Sequence, residues 1–423
     1  MYIESIKLRN FRGYEDNTFL LKPGINLLIG PNASGKTTML EALSVALGSF
    51  FLGIRGYDSR HIRVEDIRIK ANRHGDSLSF ERQYPVVVAA VGEVFGKTIE
   101  WSRSLAGPDS RTSSKEAHSI KALAEQADAD IRVGAHRELP LIAYYGNGRL
   151  WLEPRDMGKT VNPDEKGDLS RFMGYYLAID PRCSPKELMK WLKRQEWISY
   201  KQKRQPTGLM VVKRALVGCI EEASDIAFDP EREELVLFFK EGPELPFGML
   251  SDGQRGIAAL VGDLAMRASR LNPQFGESVL EETPGVVLID EVDLYLHPKW
   301  QRTILGNLSY VFPKIQFVCT THSPQVVGGI GPECIINLDT GAKSAGQSLG
   351  LDSNSVLRQI MGATERDTET LKLLERVYSK LEEDDLEGAT AALDVVRARL
   401  RGPDSETVRL ETTIHNLETL KED

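Results

Sequence analysis

The chain has 423 residues, 41% of them hydrophobic, and a formal net charge of −8 at pH 7. That length can build one large domain with insertions or two to three small ones, and the acidic balance argues against a general basic coat for nucleic acid while leaving room for a local patch. The four cysteines, Cys183, Cys219, Cys319 and Cys334, lack the paired spacing of a zinc site, so ordinary thiols of a reducing compartment are expected, with no disulfide and no zinc.

Met1 to Asn10 alternates as a strand does, without a basic stretch leading into an apolar one, and no apolar run approaches the roughly 20 residues that cross a bilayer; a cytoplasmic protein off the membrane is expected. Tyr2, Ile6 and Leu8 belong to this first strand, Phe11 to Tyr14 make a turn, Thr18 to Leu21 form a second strand and Ile25 to Ile29 a third. Thr38 to Leu47 has helical periodicity. After an aperiodic stretch from Phe50 to Ile69, the segments Ser77 to Tyr84, Val86 to Val91 and Lys97 to Arg103 predict a three-stranded antiparallel patch. Gly107 to Asp130 begins as a polar loop and continues as a helix with Ile120, Leu123 and Ala124 apolar, which suggests an insertion arm.

Leu139 to Tyr145 is a buried-strand candidate, bent by Gly146-Asn147-Gly148-Arg149 ahead of a polar segment up to about Leu169. Pro185 to Lys203 and Val211 to Ala223 predict two helices, a helical subdomain between the halves of a larger fold. Glu234 to Lys240 is a strand, followed by Pro246 to Leu250, a short Ser-Asp-Gly turn and a helix through Arg270. Val286 to Asp290 and Gln316 to Thr320 flank a helix from Pro298 to Tyr310; apolar strand, helix, apolar strand implies a parallel sheet covered on both faces. Cys334 to Leu338 ends that sheet, and Ser353 to Asp423 forms a helical tail with Glu382, Glu383, Asp384 and Asp385 in a row.

Four short segments carry chemistry. Gly30-Pro31-Asn32-Ala33-Ser34-Gly35-Lys36-Thr37 fits G-x-x-x-x-G-K-[ST] between a strand and a helix. In that setting the glycines let backbone N–H groups converge on phosphate oxygens, Lys36 adds a positive charge near the β- and γ-phosphates, and the Thr37 hydroxyl can hold Mg²⁺. Asp290 and Glu291 end an apolar strand, where the first can support Mg²⁺ and the second polarise an attacking water. Leu250-Ser251-Asp252-Gly253-Gln254-Arg255 sets a hydroxyl and bare N–H groups at a helix start, which reads first as a γ-phosphate receptor and alternatively as an ordinary N-cap. His322, in Thr320-Thr321-His322-Ser323-Pro324, follows the last core strand at the carboxyl edge where ligands bind in open α/β folds.

In this order, these segments resemble the ABC-type ATPase head of the SMC, RecF and OLD-related group, over residues 1 to 50 and 245 to 340. Within that group, IESIKLRNFRGYED, LIDEVDLYLHPKWQ and THSPQVV are most similar to the stand-alone ATPases of bacterial anti-phage systems, the Septu ATPase and its retron-associated relatives. The resemblance implies an α/β fold: an ABC/SMC-type P-loop ATPase head with mixed sheet, inserted helical subdomain and helical C-terminal tail. Its expected parts are residues 1–105 with the phosphate loop, 106–235 with the arm, a core strand and the helical subdomain, 236–345 with the remaining motifs, and the acidic tail 346–423.

By the same resemblance, ATP and Mg²⁺ would meet Gly30, Asn32, Ser34, Gly35, Lys36, Thr37 and Thr38; Asp290 would join Thr37 at the metal, Glu291 would activate water and His322 would sense the γ-phosphate. Ser251, Gly253 and Gln254 would act on the nucleotide of a second subunit, which implies a homodimer or an oligomer of dimers. The family's glutamine loop has two candidates, Gln83 and the turn from Tyr144-Tyr145-Gly146 to Arg149; its aspartate loop would be Asp293 to Pro298, with Asp293 or His297 acting across the dimer. The chain has no HNH-like spacing and no nuclease-type carboxylate cluster. The resemblance therefore implies that an effector comes from another chain, an HNH endonuclease, in a retron setting with a reverse transcriptase and its RNA–DNA product. The alternative is an SMC/RecF-like DNA-repair ATPase that binds DNA directly.

Two stretches stay outside these motifs. Lys190 to Arg204, with Trp191, Trp197 and Tyr200 interleaved, reads first as an amphipathic helix with buried tryptophans and solvated lysines, and alternatively as a surface that contacts phosphates and stacks bases. The acidic tail reads as a solvated helical face or as a docking surface for a basic partner.

Overall fold

The computed structural model describes every residue except 75–76, 149–169, 183–184, 221–222, 230, 232–233, 340–346, 403 and 423. In chain order the elements open with β1 (Tyr2–Phe11), β2 (Tyr14–Leu20), β3 (Ile25–Ile29), α1 (Lys36–Gly48), β4 (Ile69–His74), β5 (Ser77–Arg82), β6 (Val86–Val94), β7 (Lys97–Leu105) and α2 (His118–Arg132). They continue with β8 (Leu141–Tyr145), α3 (Pro185–Gln202), α4 (Thr207–Cys219), β9 (Ala223–Asp229), β10 (Glu234–Phe239), β11 (Leu245–Pro246), α5 (Asp252–Leu271), α6 (Val279–Glu282), β12 (Gly285–Ile289) and α7 (Pro298–Val311). The rest are β13 (Ile315–Thr320), α8 (Pro324–Val327), β14 (Ile335–Asn337), α9 (Ser353–Gln359), α10 (Thr368–Glu382), α11 (Leu386–Leu400) and α12 (Ser405–Glu422). Contacts divide the chain into two compact units, residues 1–356 and 357–423.

The first unit is α/β and is organised by a parallel sheet in the order β14-β3-β13-β12-β8. Every residue of β8, β12 and β13 is buried, as strands covered on both faces must be. A four-stranded antiparallel sheet, β2-β1-β6-β7, forms a second layer. β6 alternates, with Val86, Val88, Ala90 and Val94 inward, and β1 buries Ile3, Ile6, Leu8 and Phe11 around a register shift between Ile3 and Ser5. Between the layers runs α1, which touches β1, β6 and β7 on one side and β12 and β13 on the other. That position explains why its sequence is apolar nearly all round. Gln316 of β13 pins the layers together: its side-chain amide accepts from the Ile3 N–H and donates to the carbonyls of Ile3 and Lys22, each at 2.8 Å.

Three local expectations are corrected. The segment Ser77 to Tyr84 does not join Val86 and Lys97 in one patch: β5 pairs with β4 as a separate ribbon, while β6 and β7 extend the sheet begun by β1. Pro85, which has no N–H, separates the two. The strand β4 itself escaped notice because IKANRH is almost wholly exposed and has no apolar face. The helix α2 is no projecting arm: Ile120, Ala124 and Ala127 are buried, and Gly53 lies so close that a Cβ there would sit 2.4 Å from the Lys121 carbonyl oxygen. Helix α4 ends at Cys219 instead of Ala223, where β9 begins an antiparallel sheet with β10 and β11. The polar segment through Leu169 lies outside the described residues.

In the second unit, α10, α11 and α12 bury Leu374, Val377, Leu393, Val396, Leu410 and Ile414 against one another. The acidic run marks a helix end. Lys380 pairs with Glu383 and Asp385 at 2.8 and 3.0 Å, and Asp385 accepts from the Gly388 N–H to cap α11.

Candidate functional site

The carboxyl ends of β3, β12 and β13, neighbours in the sheet, bring three sequence-distant segments to one edge. The first is the loop from Gly30 to Gly35. Gly30, Ala33 and Gly35 have φ of 149°, 66° and 96°, the left-handed conformations that curl a backbone around an anion. Lys36 is buried and its ammonium donates to the carbonyls of Gly30 (2.7 Å) and Pro31 (2.9 Å). Burial lowers its pKa, opposed by the nearby charges of Asp290 and Glu291.

The second segment is the end of β12. Asp290, only 2% exposed, accepts from the Thr37 hydroxyl at 2.9 Å and from the Thr320 hydroxyl at 2.6 Å. The same Thr320 oxygen accepts from the Glu291 N–H at 2.7 Å. One hydroxyl at the end of β13 thus orients both acids. Glu291 holds φ at 48°, a conformation that costs a non-glycine residue roughly 1 kcal/mol or more and that clusters at functional sites.

Residues that sequence reasoning missed complete the loop's surroundings. Tyr14 donates to the Gly35 carbonyl at 3.1 Å; burial pushes its pKa up to about 12, so it stays a neutral donor. A Cβ on Gly35 would lie 2.4 Å from that hydroxyl, so Gly35 is required by packing as well as by its φ. One turn beyond Thr37, Glu41 pairs with the buried Arg60, which also binds Asp66 at 2.9 Å, and Arg12 reaches Asp66 at 2.8 Å. Burial of Asp66 works against its charge, but the hydrogen bonds from Arg60 and the Arg63 N–H, together with the charges of Arg60 and Arg12, outweigh it and hold the carboxyl below the usual range. A cavity of about 770 Å³ adjoins this cluster: Glu41, Arg60, Tyr175 and Asp180 line it, and neither Lys36 nor Asp290 does. Only the terminal threonine of the strand QFVCT was a readable signal; Glu41 lies 19 residues from Arg60 and Gly35 lies 21 from Tyr14, beyond any local pattern.

The third segment joins Asp293 to the turn after β13. The Thr321 hydroxyl donates to Asp293, and Ser323 donates to Gln301 at 2.6 Å. His322 is exposed in this turn. Ser251 caps α5 in a capping box, accepting from the Gln254 N–H while the Gln254 side chain accepts from the Ser251 N–H. Gly253 packs against the loop after β12; a Cβ there would lie 2.4 Å from the Tyr295 carbonyl oxygen. The structure thus gathers Lys36, Thr37, Asp290 and Glu291 at one edge, sets Gly253 beside Tyr295, and places Ser251 and Gln254 with it at the start of α5. Asn32 is exposed and Thr38 half-buried on the loop and first turn. Of the glutamine-loop candidates, Gln83 bonds to Arg68 and Glu81, Tyr144 donates to Glu41 at 3.4 Å, and Arg149 lies outside the described residues. His297 caps α7.

Two features fit a phosphorylated ligand with a hard cation. The buried Ser34 hydroxyl, at the centre of the loop, has no hydrogen-bond partner among the described residues. Thr37 and Asp290 offer oxygen donors only, and among the described residues no cluster of three His, Cys, Asp or Glu could hold a metal alone; Mg²⁺ shared with phosphates matches such a sparse site.

The family described as "AAA domain, putative AbiEii toxin, Type IV TA system" matches residues 25–328. Among known proteins, the chain is 29% identical over 388 residues to "Retron Vc95 probable ATPase" of Vibrio cholerae serotype O1 biovar El Tor, covering 78% of this chain and 73% of that protein. It is 25% identical over 477 aligned positions to "Retron Ec83 probable ATPase" of Escherichia coli, covering 96% and 85%. A 197-residue stretch, 47% of this chain and 25% of the relative, is 42% identical to "Septu protein PtuA" of Bacillus mycoides (strain KBAB4). Among the described residues no helix is long and apolar enough to cross a membrane.

Proposed function

Since the chain belongs to the AAA-domain family that matches residues 25–328, as an ATPase akin to those of retron and Septu systems, we propose that its nucleotide state governs a partner effector in anti-phage defence. The observation that carries the reading is the joining of Thr37 to Asp290 across the β3 and β12 edges, with Thr320 tying Asp290 to Glu291. On ATP binding the Lys36 ammonium leaves the Gly30 and Pro31 carbonyls for the β- and γ-phosphates, and the loop N–H groups and Ser34 hydroxyl take the remaining oxygens. Thr37 and Asp290 would hold Mg²⁺, which would supply positive charge against the phosphates. Glu291 orients the attacking water, and His322 meets the γ-phosphate from the next turn.

Ser251, Gly253 and Gln254 act on the nucleotide of a second copy, so ATP closes a homodimer. The effector is an HNH-type nuclease on another chain, and in a retron setting a reverse transcriptase with its RNA–DNA product joins it. The test pairs two variants with a pull-down. Lys36→Ala should lose ATP binding, and Glu291→Gln should trap an ATP-bound dimer by gel filtration; parent-like behaviour of both would put the site elsewhere. Capture of a nuclease or reverse transcriptase on the tagged chain from its host supports the regulatory reading. Bulk DNA with no dedicated protein moves the assignment to a RecF-like repair ATPase.

A further inference from the structure

Helix α3 carries a surface that the ATPase reading leaves unused. One stripe, Leu188, Trp191 and Leu192, is buried, and the helix packs against α4 and α5. The opposite stripe, Lys193, Arg194, Trp197, Tyr200, Lys201 and, just past the helix, Arg204, is exposed. Trp191 thus obeys the expectation of a buried tryptophan and Trp197 does not: Trp197 is 60% exposed and Tyr200 79%. Their rings stack on each other, centroids 6.4 Å apart at 29°, and the Lys201 ammonium sits 5.0 Å from the Trp197 ring centre.

Among the described residues of the helix, the charge around this pair is one-sided. The two acids of the helix, Glu187 and Glu196, are half-buried and engaged with Lys190 (3.2 Å) and Lys213 (3.3 Å). What faces solvent is cationic, in a chain whose net charge is −8. Stripe residues are aromatic or cationic and none is aliphatic, while the helix's aliphatic face is spent on the protein interior. A membrane-surface helix would need that face free.

We propose that this stripe is a binding surface for single-stranded polynucleotide, unpaired bases stacking on Trp197 and Tyr200 and phosphates lying along Arg194, Lys201 and Arg204. Exposed aromatic faces take unpaired bases without regard to sequence, and a duplex keeps its base faces covered. The proposal does not rest on the ATPase assignment, because no residue of the phosphate loop takes part.

The test is fluorescence anisotropy of labelled oligothymidine, with duplex DNA and heparin as competitors. The full chain should bind the single strand in preference to duplex. Trp197→Ala with Tyr200→Ala should weaken binding about thirtyfold or more, while Trp197→Phe with Tyr200→Phe restores most of it. Lys201→Ala with Arg204→Ala should lower the slope of log affinity against log salt by about 1.4, two contacts at ~0.7 each. Binding of a fluorescent ATP analogue should be unchanged in all three, which separates this surface from the nucleotide site and shows that the variants fold. Unweakened binding by the alanine pair, duplex binding as tight as the single strand, or no binding by the parent would each overturn the proposal.

Discussion

Replacing Thr320 with valine keeps the shape of the side chain and removes only its hydroxyl, which makes it a clean probe of how the acid pair is held. The hydroxyl donates to Asp290 at 2.6 Å and accepts from the Glu291 N–H at 2.7 Å, and Thr320 is 1% exposed. A hydrogen bond to a carboxylate is worth about 1.5–3 kcal/mol, and a buried N–H left without an acceptor costs about 1–3 kcal/mol. Thr37 still serves Asp290, so about 3 kcal/mol is expected in all. Urea unfolding followed by tryptophan fluorescence is the assay, because the five tryptophans, at 101, 151, 191, 197 and 300, all lie in residues 1–356 and report on that unit alone. With an m-value near ~3 kcal/mol/M, the midpoint should fall by about 1 M. Amide exchange should also show faster exchange at Glu291, and Thr320→Ser should restore both readouts. A valine variant with an unmoved midpoint and a still-protected Glu291 amide would refute the idea that this hydroxyl organises the edge.

Two further outcomes follow from other contacts. Gly253→Ala places a Cβ 2.4 Å from the Tyr295 carbonyl oxygen, so it should cost about 1–3 kcal/mol of overpacking in the same urea assay. Asp367 caps α10 through Thr370 and binds Arg399, which together lower its pKa to about 2. A depressed carboxylate stabilises the folded state above its unfolded pKa, so this contribution to residues 357–423 should be lost as pH falls from about 4 to about 2, and Asp367→Asn should flatten that part of a helicity titration by circular dichroism.

The parallel core was legible because its strands are unusual as text: VVLID and QFVCT are short and apolar, and a phosphate-loop pattern preceded them. Burial on both faces leaves that signature wherever it occurs. The ribbon of β4 and β5 was illegible for the opposite reason, since a strand with neither face buried has no alternation to read. The Lys36, Thr37, Asp290 and Glu291 set could be nominated from spacing alone, yet the partners that fix it could not. Tyr14 closes on Gly35 across 21 residues and Thr37 on Asp290 across 253, and local pattern carries no information about which distant polar side chain completes a pair. Trp197 was misjudged because helical spacing gives the faces of a helix and not which of them the fold covers.

The strand order β14-β3-β13-β12-β8 has a consequence during synthesis. β3 leaves the ribosome well before both of its hydrogen-bonding neighbours, β13 and β14, which follow about 300 residues later. At ~5–20 residues per second the nascent chain must keep an apolar strand without partners for roughly 15–60 s. Gln316 adds to the delay, because the Ile3 backbone groups that it pins stay unclasped over the same interval. Translation speed therefore sets how long this apolar strand waits for its partners, and slowing the ribosome between β3 and β13 would lengthen that aggregation-exposed interval.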